Sequence, residues 1–263
     1  MQHLLKLRQI LADLERVVVA FSGGADSSFL AYVANDVLGP DRARAVTAVS
    51  PSLAEAELDD CRELAIDWGL NWLTVETDEM EQAAYRVNDG DRCYHCKVAL
   101  MEMVTPIAEA EDGVVLLGVN VEDLGDHRPG QRAALENNAR FPLVEAGFTK
   151  ADVRDASRRL GLRTWDKPAA ACLASRLPYG TEVSVSLLRQ VDRAEAAMHA
   201  LGFRQLRVRH YGDTARVELD LDELPRALAL REELVGAVRE VGYRYVTLDL
   251  EGFRSGNLND ALG

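Results

Sequence analysis

Arg16-Val17-Val18-Val19-Ala20-Phe21-Ser22-Gly23-Gly24-Ala25-Asp26-Ser27-Ser28 is the stretch that decides the fold. Arg16 is followed by five apolar residues, three of them β-branched valines, a run of strand length with the pattern of a strand covered on both faces. Two glycines follow. Ser27 to Val37 then has the spacing of a helix, which Gly39-Pro40 ends. A strand, a glycine turn and a helix in that order gather backbone N–H groups and the positive end of a helix at one point, which suits an anion. Ser22, Ser27 and Ser28 add hydroxyl donors. Asp26 is the odd member, because a carboxylate repels phosphate. It fits if it caps the helix or holds Mg²⁺ against a nucleotide. An ordinary capped turn is the plainer alternative, and the complete Ser-Gly-Gly-x-Asp-Ser string in this context argues against it. Neither Gly-x-x-x-x-Gly-Lys nor Gly-x-Gly-x-x-Gly is present.

Outward from this stretch the pattern repeats. Arg44 to Val49, Asn71 to Glu76 and Gly113 to Val119 read as strands; Leu53 to Trp68 and Cys96 to Glu109 read as helices. The alternation predicts an α/β fold, a doubly wound parallel sheet with right-handed crossovers. Asn120 to Phe148 shows little periodicity and is expected to be a long, functional loop. Lys150 to Leu160 is a short helix. After an irregular stretch, Asp166 to Thr181, the pattern changes. Helix Ser186 to Leu201, strands Leu206 to Tyr211 and Thr214 to Leu219, helix Leu224 to Val241 and strand Tyr243 to Leu250 make a small α+β unit. The expected domains are therefore 1–165, nucleotide-binding, and 166–263, for substrate binding or oligomerisation.

The 263 residues are 48% apolar with a formal net charge of −13. That charge argues against a nucleic-acid partner, whose binding depends on Lys and Arg neutralising phosphates. No apolar stretch reaches the roughly 18 residues needed to span a bilayer. Met1 to Arg16 lacks the features of a signal peptide, so the expected location is the cytoplasm, with no membrane partner.

The four cysteines are Cys61, Cys93, Cys96 and Cys172. Cys61 sits at an apolar helical position and reads as a small core residue. Asp91-Arg92-Cys93-Tyr94-His95-Cys96-Lys97 holds a Cys-x-x-Cys pair, which binds metal or does redox chemistry in a reducing compartment. Arg92, His95 and Lys97 would lower the thiol pKa values. Cys93, Cys96 and Cys172 together suit three irons of a [4Fe–4S] cluster, leaving a fourth open to carry a sulfide. Zn²⁺ completed by His95 or water is a second reading, and Cys172 as a nucleophile that gives up its own sulfur is a third.

The loop string resembles the PP-loop of the ATP pyrophosphatases, which cleave ATP between the α and β phosphates and leave an adenylated substrate. More closely, the chain resembles the LarE family, ATP-dependent sulfur transferases of nickel-pincer nucleotide biosynthesis. The resemblance runs nearly end to end. Its marks are Ala20 to Ser27, Asp91 to Lys97, Leu124 to Gly130, Cys172 to Gly180, Arg207-Val208-Arg209 and Tyr245 to Gly256. It implies ATP and Mg²⁺ as cofactors. It implies pyridinium-3,5-biscarboxylic acid mononucleotide as substrate, a ring carboxylate being adenylated and then converted to a thiocarboxylate. The product feeds the cofactor of lactate racemase-type enzymes. Some members sacrifice one cysteine sulfur per transfer; Cys93 and Cys96 mark this chain as the three-cysteine type, in which a [4Fe–4S] cluster replaces sacrifice. Sulfide or another donor would supply the sulfur. The resemblance also implies a homo-oligomer, a hexamer among the forms expected.

Other roles follow from charge. Lys97 and Arg176 neighbour the cysteine segments and are candidates to offset charge during adenylation. Arg207 and Arg209 alternate along a strand, about 6.5–7 Å apart on one face, which suits a substrate phosphate. Ion pairs with Glu218 or Asp220 are the bland reading. Ser175 is expected to orient substrate near Cys172. Glu195 resembles a family position near the active cysteine and is a candidate metal ligand. Asp123 and Asp126 fall where parallel sheets place ligand loops. His127 and His210 read as structural. An amide synthetase of the PP-loop kind, a tRNA thiolase and a non-enzymatic binding module are the competing functions.

Overall fold

A computed structural model describes residues 2–125, 129–168 and 171–254. In chain order the elements are α1 (Gln2–Leu14), β1 (Val17–Ala20), α2 (Ala25–Leu38), β2 (Ala43–Val49), α3 (Glu55–Asp67) and β3 (Asn71–Glu76). There follow α4 (Ala83–Arg86), α5 (Arg92–Ala110), β4 (Val114–Leu117), α6 (Pro129–Glu136), α7 (Pro142–Ala146) and α8 (Lys150–Arg159). The remainder are α9 (Val185–Ala200), β5 (Leu206–Tyr211), β6 (Thr214–Leu219), α10 (Leu224–Ala229), α11 (Arg231–Glu240) and β7 (Tyr245–Leu248). The chain forms two compact units. The first comprises Met1–Ser50, Glu55–Glu79 and Cys93–Ala170; the second comprises Pro51–Ala54, Met80–Arg92 and Ala171–Gly263.

In the first unit four parallel strands run in the order β3-β2-β1-β4. Val17 and Val19 of β1 pack into one apolar cluster with Leu7 and Leu11 of α1, Phe29 and Leu30 of α2 and Leu64 of α3. Val18 packs into the other, with Met101 and Val104 of α5 and Ala134 of α6. Strand alternation therefore delivers consecutive valines to opposite faces, each covered by helices. This is the α/β, doubly wound parallel sheet of a PP-loop domain. Because β2 and β3 lie on one side of β1 and β4 on the other, the strand order reverses between β1 and β4. The segments after those two strands flank the switch-point crevice where such sheets bind ligands.

The segment Asn120 to Phe148 departs from the expected long loop. It holds a 3-10 turn (Val121–Gly125) and the helices α6 and α7. Each helix opens on a proline, and each is too short to display a period in sequence. α5 also begins earlier than expected, at Arg92, so Cys93 and Cys96 lie in its first two turns.

The second unit has a three-stranded mixed sheet, β5-β6-β7, with β5 antiparallel and β7 parallel to β6. Its core joins Ala194 and Met198 of α9, Val208, Val217 and Val238. The expected single helix Leu224 to Val241 is broken at Leu230, which ends α10 and caps α11. Among the described residues no helix is long and apolar enough to cross a membrane.

Candidate active site

The phosphate loop lies between β1 and α2. Gly24 is the helix N-cap, and its side-chain-free position leaves the first-turn N–H groups without an intramolecular side-chain cap. Asp26 therefore does not cap the helix. Gly23 has φ +70°, which glycine adopts without strain, and a Cβ there would lie 2.9 Å from Cys61 Sγ. The loop is closed by hydroxyls: Ser22 N–H donates to Ser27 Oγ (3.2 Å), Ser27 Oγ donates to the Gly24 carbonyl (3.2 Å), and the Ser22 and Ser27 hydroxyls lie 3.0 Å apart. Ser28 Oγ is fully buried with no hydrogen-bond partner among the described residues. The Ser22 and Ser27 hydroxyls, by contrast, are paired with each other at the loop.

Gly118, just beyond β4, closes the crevice from the other side. A Cβ at Gly118 would stand 2.7 Å from Ser27 N. Only glycine lets the two segments approach this closely. Asn120 then turns the chain. Its Oδ1 accepts from the N–H groups of Glu122 (3.0 Å) and Asp123 (3.2 Å), and its Nδ2 donates to Asp26 Oδ2 (3.3 Å). Asp123 is buried, and its Oδ1 lies 3.3 Å from Lys150 Nζ. Burial, then the nearby Asp123 carboxylate, push the Asp26 pKa up to about 6. Asp26 is thus an ionised carboxylate at pH 7 held at a cost, the condition of a group that gains from a cation. Oxygen donors of this kind suit Mg²⁺.

Beneath the loop, Cys61 is fully buried, and burial raises its thiol pKa to about 11. It is a core residue, as its apolar helical position implied, and no nucleophile.

On α5, Cys93 is exposed and Cys96 half-buried, and neither forms a disulfide. Their i, i+3 spacing sets both thiols on one helical face. Lys97, half-buried, follows on the same helix. Gly130 packs against this turn: a Cβ there would meet Cys93 O at 3.0 Å. Among the described residues, no group of three or more His, Cys, Asp and Glu side chains is assembled as a metal site.

In the second unit Cys172 is half-buried and free, at the N-cap of a 3-10 turn, Leu173–Arg176. Arg176 organises that turn. Its Nη1 donates to the carbonyls of Ala171 and Cys172 (3.0 Å to the latter) and to Ser175 Oγ (3.1 Å). Its Nε and Nη2 grip Glu195 on α9 (3.0 and 2.9 Å), and Glu195 Oε1 also accepts from Val208 N–H (2.9 Å). Arg209 forms a second fork, with Glu218 (3.0 and 2.9 Å), and donates to the Ser175 carbonyl (2.8 Å). Arg209–Glu218 is the ion pair of the bland reading, yet it is buried rather than on the surface. Arg207 is half-buried, with its guanidinium 5.0 Å from the Phe253 ring centroid. Burial, then the charges of Arg176 and Arg209, lower its pKa to about 10. Arg176 and Arg209 are thus each paired with a glutamate, while Arg207 lies close enough to both to feel their charge.

Asp126 and His127 lie outside the described residues. His210 is buried with Nδ1 3.2 Å from Tyr243 Oη, and burial lowers its pKa, in keeping with a structural residue. Sequence reasoning missed Gly118, Asn120 and Lys167 in the first unit. It also missed Asn88, whose amide donates to the Pro178 and Thr181 carbonyls (2.8 and 3.0 Å). The glycine after β4 was a readable signal. The others needed the register.

The NAD synthase family model matches residues 4–97. A protein of Synechocystis, uncharacterised, is 45% identical over 97% of this chain and 96% of its own length. A glutamine-dependent NAD(+) synthetase of Aquifex aeolicus is 30% identical over 79 residues, 14% of its length. The pyridinium-3,5-bisthiocarboxylic acid mononucleotide synthase of Lactiplantibacillus plantarum is 40% identical over 96% of this chain and 92% of its own length. With a PP-loop at its switch point and that likeness running end to end, the chain belongs to the LarE family.

Proposed function

We propose that this chain activates a ring carboxylate of pyridinium-3,5-biscarboxylic acid mononucleotide with ATP and exchanges carboxylate oxygen for sulfur. A carboxylate oxygen attacks the α-phosphorus, pyrophosphate leaves, and an acyl adenylate forms. Hydrosulfide attacks the acyl carbon; AMP leaves with the former carboxylate oxygen, a proton is released, and a thiocarboxylate remains. The observation that carries the reading is the Ser22–Ser27 loop at the switch point, where the helix start carries no side-chain cap and its N–H groups and hydroxyls suit the pyrophosphate of ATP. Ser22, Gly23, Gly24 and Ser27 bind that portion. Asp26 would hold Mg²⁺, which offsets phosphate charge. Lys97 stabilises charge at the reacting carboxylate. Arg207, with Arg209 behind it, receives the substrate phosphate. Arg176, on its Glu195 fork, and Ser175 fix the turn that presents Cys172. In this reading Glu195 serves that turn through Arg176 and Val208, and the metal role that the resemblance implied for it would need the fork to open.

The sulfur source in this reading is the thiol set Cys93, Cys96 and Cys172. Their donor chemistry fits iron, and a [4Fe–4S] cluster held by them would supply sulfide. The accessible, fixed Cys172 supports a second route. Its thiolate attacks the acyl carbon and displaces AMP. Loss of the Cα proton with cleavage of the Cβ–Sγ bond then releases the thiocarboxylate and leaves dehydroalanine. The working form is a cytoplasmic homo-oligomer.

An anaerobic assay with ATP, Mg²⁺, the mononucleotide and sulfide tests this. Mass spectrometry should show thiocarboxylate, with one AMP and one pyrophosphate per sulfur. ATP cleavage that yields an amide from ammonia, and nothing from sulfide, would point to the amide synthetase instead. Iron analysis of the anaerobic protein separates the sulfur routes: about four irons per chain for the cluster, or none and a Cys172 residue lacking the elements of H₂S for sacrifice.

A further inference from the structure

Lys167 stands apart from the roles assigned so far. Its ammonium is largely buried, with a side chain 16% exposed, and it is held by Glu57 Oε2 at 2.7 Å and Asp60 Oδ2 at 2.5 Å. Both carboxylates lie on α3. The same ammonium lies 3.6 Å from the position a Cβ would take on Gly23, so it adjoins the backbone of the phosphate loop. The hydrogen bonds it donates to Asp60 and Glu57, with their negative charge, outweigh desolvation and hold its pKa above the ordinary lysine value. The two carboxylates therefore favour its charged form.

Two facts make this placement informative. First, the loop has no cation of its own: Ser22 to Ser28 contains only Asp26 as a charged residue. Pyrophosphate needs positive charge as well as N–H donors. Second, an ammonium has three N–H donors, and Glu57 and Asp60 take two. Holding the lysine between two carboxylates keeps a buried charge tolerable while the loop is empty.

We propose that Lys167 is the cationic ligand of the pyrophosphate portion of ATP, stored on Glu57 and Asp60 and shared with the phosphates when the nucleotide binds. This rests on the adenylation reading and assigns the cation that its leaving group requires. The carboxylates compete with phosphate for one ammonium, so they tune how readily pyrophosphate is released.

Calorimetric titration of ATP, AMP and inorganic pyrophosphate, each with Mg²⁺, tests it on the full-length protein. Lys167→Met should weaken ATP and pyrophosphate binding about tenfold or more, the loss of a charge-assisted contact, and leave AMP within about twofold. Glu57→Gln, which removes a competitor and keeps the lysine, should tighten pyrophosphate binding. A purely structural lysine gives another pattern: Lys167→Met weakens all three ligands alike or none, and Glu57→Gln weakens pyrophosphate or leaves it unchanged. Either pattern overturns the proposal. If Lys167→Met fails to fold, the sign of the Glu57→Gln change decides. If the wild-type protein binds no ATP, the adenylation reading itself falls, an outcome distinct from normal wild-type binding that Lys167 does not influence.

Discussion

Arg176 meets Glu195 in a two-pronged fork, Nε to Oε1 at 3.0 Å and Nη2 to Oε2 at 2.9 Å, with side chains 5% and 9% exposed. The remaining guanidinium nitrogen binds the Ala171 and Cys172 carbonyls. The fork therefore ties the backbone at Cys172 to α9. Removing one partner of a buried pair strands the other charge, at about 3–5 kcal/mol. Glu195→Ala should cost about that much in urea unfolding followed by circular dichroism. Glu195→Gln keeps acceptor oxygen for Arg176 and should cost less, while still slowing turnover at saturating substrate. Equal stability of Glu195→Ala and wild type would remove the fork from the account.

The two arginines of β5 should separate in kinetics. Arg209 is committed to Glu218, which is fully buried, so Arg209→Ala should chiefly destabilise the protein. Arg207, its charge disfavoured by burial, Arg176 and Arg209, gains most from an incoming anion. Arg207→Ala should raise KM for the mononucleotide about ten- to a hundredfold, one to two charge-assisted bonds. A substrate lacking the phosphate should show no such difference. Initial rates with both substrates check this.

Much of this was legible in the chain. The β1 valines, the glycine turn and the bounds of β3, β5 and β6 followed from strand periodicity and turn chemistry, because local pattern and tertiary burial agree there. The stretch from Asn120 to Phe148 did not, since α6 and α7 are one or two turns long and owe their helicity to packing. Within the site, Arg207 and Arg209 were placed on one face by alternation alone. That Arg209 is spent on Glu218 was not readable, because the diagonal partner depends on the β5–β6 register, Arg207 opposite Glu218 and Arg209 opposite Arg216. Asn120 was equally silent: its amide matters only because β4 lies next to β1.

Asp26 should make the loop a source of instability in protein free of nucleotide and divalent cations. Its pKa is raised by burial and Asp123 to about 6 from the ordinary 3.8. The folded state then binds the proton more tightly than the unfolded state, and stability falls as pH rises through that window. Asp26→Asn removes the penalty. It should be more stable than wild type at pH 7.5, with the difference vanishing toward pH 4, while adenylation drops at least a hundredfold. Urea midpoints across that range check the sign; an Asn variant less stable at pH 7.5 would contradict it.

Gly118 offers the sharpest geometric test, because it touches the site only through space. A Cβ there would fall 2.7 Å from Ser27 N and 2.8 Å from its Cα, both backbone atoms that cannot rotate away. Gly118→Ala must therefore push β4's end from the first turn of α2, widening the crevice by a few tenths of an ångström and spoiling the N–H geometry offered to phosphate. ATP affinity should fall about tenfold or more. Gly236 on α11 has nothing within 4 Å of its Cβ position, so Gly236→Ala should leave ATP binding unchanged and stabilise its helix by about 0.5–1 kcal/mol. Calorimetric ATP titrations of both variants, with melting curves to confirm that each is folded, decide the matter. Wild-type affinity in Gly118→Ala would mean that the crevice between β1 and β4 is not where the nucleotide phosphates bind.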